Sequence, residues 1–130
     1  MNLYLKDLPE ERWKLIPGFD DRFCISDKGR VKRLSGWTSK GRKIFLKEQI
    51  LSQYMNVNND TSSSLYCLLR HNQKNVRISI VKLLYYCFVS EFDLYDKRLL
   101  VINKNKPFWN TKLSKLTLSS IHSVLKRTIK

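Results

Sequence analysis

The sequence has few of the residues that build disulfide frameworks, metal knuckles or membrane spans. Among 130 residues there are three cysteines, three prolines and four glycines. Cys24, Cys67 and Cys87 lie far apart and form no Cys-x-x-Cys pair, which argues against a zinc knuckle or a disulfide framework. No apolar run reaches the roughly 18 residues of a transmembrane helix, and no signal-peptide pattern opens the chain. We therefore expect a cytoplasmic protein with buried, reduced thiols and without a membrane partner, a metal or another cofactor.

Acidic residues are also scarce, and they are unevenly distributed. Eleven Asp and Glu stand against 25 Lys and Arg, which gives a formal net charge of +14. Six of the eleven acids fall within residues 1–27, and none follows Asp96. Residues 28–47 carry eight basic residues without an acid, and residues 97–130 carry nine. Each run alone is compatible with a solvated face, but two such runs favour contact with the phosphates of a nucleic acid. A membrane surface is the weaker alternative, because the C-terminal segment lacks a wide apolar face.

Apolar residues, by contrast, are plentiful, and their pattern predicts an α+β fold. Hydrophobic residues make up 42% of the chain, including six Phe, six Tyr and three Trp. Two small β-hairpins are predicted, one from Phe23–Ser26 and Val31–Leu34 and one from Leu65–Leu69 and Val76–Ile80. Apolar residues at helical spacing predict a helix in the middle of the chain, over residues 80–89.

The two ends of the chain complete this α+β prediction. Residues 1–16 are interrupted by a proline and predict an irregular arm that packs on the body. A last helix is predicted at the C-terminus, capped by Ser119 or Ser120 and presenting Lys126 and Arg127 on its polar side.

Residues 11–33 carry the most informative pattern of the sequence, ERWKLIPGFDDRFCISDKGRVKR. Its aromatic residues would form the centre of a small hairpin module, whose turn at Gly29 presents Arg30 and Lys32. The segment resembles the NUMOD motif at the start of many phage and bacterial HNH homing endonucleases. The matching positions are Glu11, Trp13, Ile16, Gly18, Phe19, Phe23, Ile25, Ser26, Gly29, Arg30 and Val31. In the alternative reading of Arg30, its guanidinium pairs with one of the nearby acids Asp20, Asp21 and Asp27 instead of a phosphate.

The resemblance continues more weakly through the second half of the chain. Residues 80–88 have apolar residues at the same positions as a helix of the family. Val81 stands at the position where the family's helix has a histidine. The family's nuclease core aligns without gaps with Val101–Lys106, Asn110–Thr111 and Lys115–Leu116. In HNH nucleases a histidine of this core activates water, and a bound metal stabilises the leaving oxygen. The resemblance places Asn103 in the general-base position, with Ile102 and Lys115 at metal positions. None of the three can do that work near neutral pH, so we expect no catalytic residue, no metal site and no enzyme activity.

The resemblance divides the chain into two modules of one compact unit. Residues 1–50 form the arm and the NUMOD-like hairpin. Residues 51–130 form a degenerate HNH-like module, with a ββα-like scaffold and a basic C-terminal helix.

The favoured functional prediction is a non-catalytic protein that binds structured RNA, with a ribosomal subunit and its neighbouring proteins as partners and no small-molecule substrate. The alternative is a DNA-binding protein of phage or mobile-element origin, and an active nuclease is less favoured. Trp37, Phe108 and Trp109 are predicted to stack on unpaired bases; for Phe108 and Trp109 the alternative is that they belong to the core. The candidate nucleic-acid-binding residues are Arg30, Lys32, Arg33, Lys40, Arg42, Lys43, Arg70, Arg77, Lys104, Lys106, Trp109, Lys112, Lys115, Lys126 and Arg127.

Overall fold

The computed structural model describes residues 3–37, 44–56, 64–71, 73–96, 98–106 and 109–120. Within these ranges the chain forms eleven short strands, one α-helix and one 3₁₀ turn. The strands are β1 (Trp13–Leu15), β2 (Phe23–Ser26), β3 (Val31–Arg33), β4 (Gly36–Trp37), β5 (Phe45–Leu46), β6 (Gln49–Ile50), β7 (Tyr54–Asn56), β8 (Ser64–His71), β9 (Lys74–Ser79), β10 (Leu99–Asn103) and β11 (Leu116–Ser120). The helix α1 spans Ile80–Phe88, and the 3₁₀ turn spans Leu113–Lys115.

The strands form four small antiparallel sheets. The N-terminal sheet has the order β1-β2-β3-β6, and the central sheet has the order β7-β8-β9. Two further sheets are two-stranded, β4 with β5 and β10 with β11. Sheets this small bury little apolar surface by themselves, so they depend on a shared element for stability.

Helix α1 is that shared element. It contacts β2, β8, β9, β10 and β11. Its fully buried residues Ile80, Leu83 and Leu84 join a core drawn from both halves of the chain, with Phe19, Phe23, Ile25, Val31, Cys67, Leu69, Leu94 and Leu116 among its other members. The Ser79 hydroxyl caps the helix by accepting a hydrogen bond from the Lys82 N–H at 3.4 Å. No helix in the described ranges is long and apolar enough to cross a membrane.

Both predicted hairpins and the central helix are confirmed. The first hairpin is β2–β3 and the second is β8–β9, where the strands extend further towards the turn than expected. His71 pairs with Lys74, which leaves a two-residue turn, and Gln73 adopts a left-handed φ of 64° there. The thiol predictions hold for Cys24 and Cys67, which are buried, whereas Cys87 is half-buried.

The predicted C-terminal helix begins after Ser119 or Ser120, so its residues lie outside the described ranges and it stays a prediction. The residues just before it, Leu116–Ser120, form a strand in which Ser119 and Ser120 pair with Leu100 and Leu99. Their backbone groups form part of the antiparallel ladder with β10. Residues 121–130, including the candidates Lys126 and Arg127, lie outside the described residues.

Candidate nucleic-acid interface

The turn between β2 and β3 packs against the loop that precedes β11. The Ser26 hydroxyl accepts hydrogen bonds from the backbone N–H groups of Lys28 and Arg30, both at 3.2 Å, which fixes the shape of the turn. Gly29 has a φ of +82°, and a Cβ there would lie 2.9 Å from the Thr111 hydroxyl. Glycine is therefore required both by the backbone conformation and by the close approach of the loop.

The Arg30 side chain is buried inside the protein, and this corrects the prediction that it binds nucleic acid. Its side chain is 5% exposed and lies against the Glu11 carboxylate, which is fully buried. The guanidinium also donates to the backbone carbonyls of Tyr4 at 2.6 Å and Lys6 at 3.1 Å. Arg30 does form an ion pair, as the alternative prediction stated, but its partner is Glu11 rather than Asp20, Asp21 or Asp27.

The Glu11 carboxylate is correspondingly held in its charged form. Burial by itself would raise its pKa, but hydrogen bonds from Arg30, Ser26 and the Leu8 N–H lower the pKa from 4.5 to about 2. The same contact with Glu11 raises the pKa of the Arg30 guanidinium. This pair ties the N-terminal arm to the hairpin, so its role is structural.

The other candidates of the first basic run either contact groups of the protein itself or lie outside the described residues. The Lys32 ammonium lies 4.2 Å from the Trp13 ring centroid and 3.6 Å from a Glu48 carboxylate oxygen. Arg33 donates to the Lys47 carbonyl at 3.0 Å. Both side chains are thus oriented by the protein itself. The candidates Lys40, Arg42 and Lys43 lie outside the described residues.

Two asparagines organise the loop between β10 and β11, residues 104–115. Asn103, the last residue of β10, accepts hydrogen bonds at its Oδ1 from the Asn105 N–H at 2.9 Å and the Asn105 Nδ2 at 2.6 Å. Its own Nδ2 donates to the Asn110 carbonyl at 2.9 Å. The buried Asn105 side chain also donates to the Lys112 carbonyl at 3.1 Å, and the Lys104 N–H donates to the Lys115 carbonyl at 2.9 Å. The loop is therefore braced from inside by side-chain amides.

The charged residues of this loop point outwards. Four of its lysines are exposed, namely Lys104, Lys106, Lys112 and Lys115. Beside the contact between the loop and the β2–β3 turn lies a cavity of about 520 Å³, lined in part by Asp27, Lys28 and Lys112. Since no acid follows Asp96 in the sequence, these lysines form a patch with no carboxylate of their own segment to neutralise it.

Trp109 lies on this side of the molecule and is 58% exposed, so the alternative that it belongs to the core is wrong. It lines a cavity of about 630 Å³ together with Lys28, Gln53, Met55 and Leu65. This cavity adjoins both the β2–β3 turn and the edge of the central sheet. The loop of residues 104–115, which we call the lysine loop, therefore neighbours the central sheet.

The outer face of the central sheet carries arginine and aromatic side chains. Cys67 and Leu69 of β8 point into the core, so the alternating residues Tyr66, Leu68 and Arg70 point away from it. Tyr66 stacks on Tyr54 of β7, with ring centroids 5.6 Å apart. Arg77 of β9 pairs in register with Leu68 and places its guanidinium carbon 3.8 Å from the Tyr66 ring centroid.

Arg70 and Arg77 are both exposed, as the sequence predicted. The sequence reasoning missed Tyr54 and Tyr66. The alternation within Ser64–His71 was the signal that would have placed Tyr66 beside Arg70 on the outer face.

Three residues were assigned to nuclease positions by the resemblance alone, and the structure shows their surroundings. The Asn103 amide is engaged in the loop contacts described above, and Ile102 is half-buried in β10. Lys115 is exposed at the end of the 3₁₀ turn. In the described part of the chain, no group of three or more His, Cys, Asp and Glu residues is arranged to hold a metal ion. His71 is half-buried against the Phe19 ring, with 5.4 Å between ring centroids.

Comparisons with known proteins agree with the NUMOD resemblance. The family model of the NUMOD4 motif matches residues 11–59. Among solved structures, the chain is similar to the HNH homing endonuclease I-HmuI, in a structure that describes DNA binding and cleavage by that enzyme. The TM-score is 0.61 at 16% sequence identity, over 91% of this chain and 57% of I-HmuI. The chain thus spans a little over half the length of that enzyme. No curated protein sequence matches.

These findings overturn the prediction of an RNA-binding ribosomal protein. Both matches lead to homing endonucleases, and neither leads to a ribosomal protein or to RNA binding. The prediction rested on charge and aromatic content, which are shared by proteins that bind either nucleic acid. The chain carries the NUMOD4 motif associated with HNH homing endonucleases, in a mixed fold of strands and one helix similar to that of I-HmuI.

Proposed function

We propose that the protein binds DNA through the lysine loop and the outer face of the central sheet, and that it does not cut the DNA. The observation that carries the proposal is the loop of residues 104–115, where four exposed lysines surround an asparagine-braced backbone without any acid. The fold similarity to an enzyme that binds DNA supports the choice of partner.

The lysine loop is suited to contacts with the phosphate backbone. Ammonium groups on long side chains bind phosphates with little sequence preference, and they release condensed counterions as they do so. A braced loop holds these charges at fixed spacing, which lowers the entropic cost of ordering them on the duplex. The loop therefore supplies affinity and orientation rather than sequence recognition.

The central sheet supplies a surface that fits a groove. A narrow antiparallel sheet enters the major groove of B-DNA, where base edges carry a distinct pattern of donors and acceptors. The Arg77 guanidinium carbon lies over the Tyr66 ring, 3.8 Å from its centroid, and this contact restricts the motion of a side chain that remains exposed. Exposed Arg70 lies on the same face of β8. Arginine is the side chain that most often reads guanine, so these two residues are the proposed readers.

The absence of cleavage is proposed from the chemistry of the residues at the aligned nuclease positions. Asn103 cannot take a proton near neutral pH, and its amide already bonds Asn105 and Asn110. Ile102 offers no ligand atom, and the ammonium of Lys115 repels a divalent cation. The likeness to I-HmuI concerns the fold, so it carries no argument for activity at these positions.

DNA binding is tested by fluorescence anisotropy of a labelled duplex, titrated with the full chain at several salt concentrations. With six to ten phosphate contacts, the affinity falls by about 10³ to 10⁵ between about 50 and about 200 mM salt. Replacing Lys104 and Lys112 together with glutamine should reduce the slope of log K against log salt by about two. Lys6→Gln serves as the control, since Lys6 is exposed on the arm close to acids in the sequence. A flat salt response of the wild-type protein would refute the proposal.

Cleavage is tested on supercoiled plasmid with Mg²⁺ or Mn²⁺ present. We expect no nicked product above that formed by buffer with metal alone. Nicking that is abolished by Asn103→Ala would show that the chain retains an active site, and the non-catalytic part of the proposal would then be wrong.

A further inference from the structure

The two-stranded sheet β4–β5 presents an exposed aromatic pair that the proposed DNA surface does not use. Trp37 pairs in register with Phe45, so both side chains lie on one face of the sheet. Their rings meet edge to face, with centroids 5.3 Å apart. Even so, Trp37 remains 59% exposed and Phe45 49% exposed. The adjacent Ile44 is 53% exposed.

The pair is attached to the body of the protein rather than carried on a free hairpin. Arg22 donates from its guanidinium to the Trp37 carbonyl. The carbonyl of Arg22 in turn accepts a hydrogen bond from the Leu34 N–H at 2.8 Å, just before β4. One residue therefore fixes both the entry to β4 and its last residue, so the rings are presented at a defined position.

The charge near the pair identifies the kind of partner it fits. In the sequence, the pair lies within residues 28–47, which contain eight basic residues and no acid. In the described part of this run, the exposed Lys47 follows Phe45 by two residues, and the Arg33 guanidinium donates to the Lys47 carbonyl at 3.0 Å. Exposed aromatic rings beside cations are the combination that binds nucleic-acid bases beside their phosphates. A contrast is Tyr4, which is 80% exposed but stands on the arm near Asp7, Glu10 and Glu11 in the sequence.

We propose that Trp37 and Phe45 form a wedge that stacks on unstacked bases of the bound DNA. The inference rests on the proposed DNA binding and adds to it a site that distorts the duplex. Apolar side chains inserted at a base step partly unstack and kink the duplex, and each aromatic ring in contact with a base contributes favourable stacking. A rigid cross-strand pair suits this role, because little side-chain entropy is lost when it inserts.

The test compares a perfectly paired duplex with the same duplex containing a two-base mismatch. A mismatched step is already partly unstacked, so the wild-type protein should bind it more tightly. Trp37→Ala should weaken binding to the mismatched duplex by about fivefold to 150-fold and remove the preference. The slope of log K against log salt should stay unchanged, because no charge is removed.

Two further variants separate stacking from folding. Trp37→Phe keeps a ring at the position and should retain most of the preference, whereas Phe45→Leu keeps apolar bulk but should lose part of it. Tyr4→Ala is the matched control and should behave like the wild-type protein. Emission from 2-aminopurine placed beside the mismatch reports base stacking directly and should change on binding of the wild-type protein but not of Trp37→Ala.

The two proposals fail in different ways. If the wild-type protein shows no salt-dependent binding to any duplex, the DNA-binding proposal is wrong, and the wedge proposal, which depends on it, is wrong as well. If salt-dependent binding is strong but Trp37→Ala and Phe45→Leu match the wild-type protein on both duplexes, the wedge alone is overturned.

Discussion

Replacing Glu11 with glutamine removes one charge from an ion pair that is sealed from solvent. The Glu11 side chain is fully buried and that of Arg30 is 5% exposed, so water cannot compensate for the lost carboxylate. Arg30 would keep its bonds to the Tyr4 and Lys6 carbonyls, but its positive charge would be left without a counter-charge. A lone buried charge is strongly destabilising, so the variant should unfold more easily than the wild-type protein.

The size of the effect follows from the pKa of Glu11. A fall from 4.5 in the unfolded chain to about 2 in the folded protein corresponds to about 3 kcal/mol of stability. Because the folded-state pKa is lowered, this contribution is complete above the unfolded pKa of 4.5 and is lost as the pH falls towards about 2. The wild-type protein and Glu11→Gln should therefore differ by about 3 kcal/mol near neutral pH and by half of that or less at about pH 3.

The assay is urea unfolding followed by tryptophan fluorescence across this pH range. Trp13 is a suitable reporter, since the Arg30 guanidinium carbon lies 5.5 Å from its ring centroid. Glu10→Gln is the matched control: Glu10 is the exposed neighbour of Glu11, and its replacement should change the free energy of unfolding little at any pH. A difference between wild-type and Glu11→Gln that stays constant from about pH 7 to about pH 3 would refute the reasoning.

Two more changes test how the β2–β3 turn and the lysine loop are held. Gly29→Ala should lower the free energy of unfolding by about 1–3 kcal/mol, because alanine is strained at positive φ and its Cβ would meet the Thr111 hydroxyl. Gly36→Ala is its control in urea unfolding, since a Cβ there meets nothing within 4 Å; equal losses for the two would contradict the account. Asn105→Ala should cost about 1–3 kcal/mol, as it leaves the Asn103 and Lys112 oxygens without the Asn105 amide. Unchanged thermal unfolding of Asn105→Ala would show that the loop needs no such brace.

Local patterns in the sequence were sufficient for the elements whose stability is mostly local. Helix α1 was predictable because its apolar residues repeat along one stripe. The β2–β3 hairpin was predictable because its turn contains the glycine that the backbone requires. Arg70, Arg77 and the four loop lysines were proposed as nucleic-acid contacts from their charge alone, and the structure leaves them exposed, as that prediction requires.

Features that depend on distant partners were not predictable from those patterns. Arg30 is separated from Glu11 by 19 residues, and only the folded arm brings the two together. Strand β7 has three residues and exists because β8 pairs with it. Strand β11 was not predictable either, because its short sequence becomes a strand only by pairing with β10. The choice between RNA and DNA also lay beyond composition, because the phosphates of both attract the same side chains.

The way in which Arg30 holds the N-terminal arm has a consequence for how that arm can change. Two of its hydrogen bonds end on backbone carbonyls, those of Tyr4 and Lys6, which every amino acid possesses. At these two positions the contact does not depend on the side chain. Substitutions of Tyr4 and Lys6 therefore leave the two acceptors of Arg30 in place, whereas substitutions of Glu11 or of Asp7, which accepts a hydrogen bond from Trp13 Nε1 at 3.0 Å, remove contacts that hold the arm.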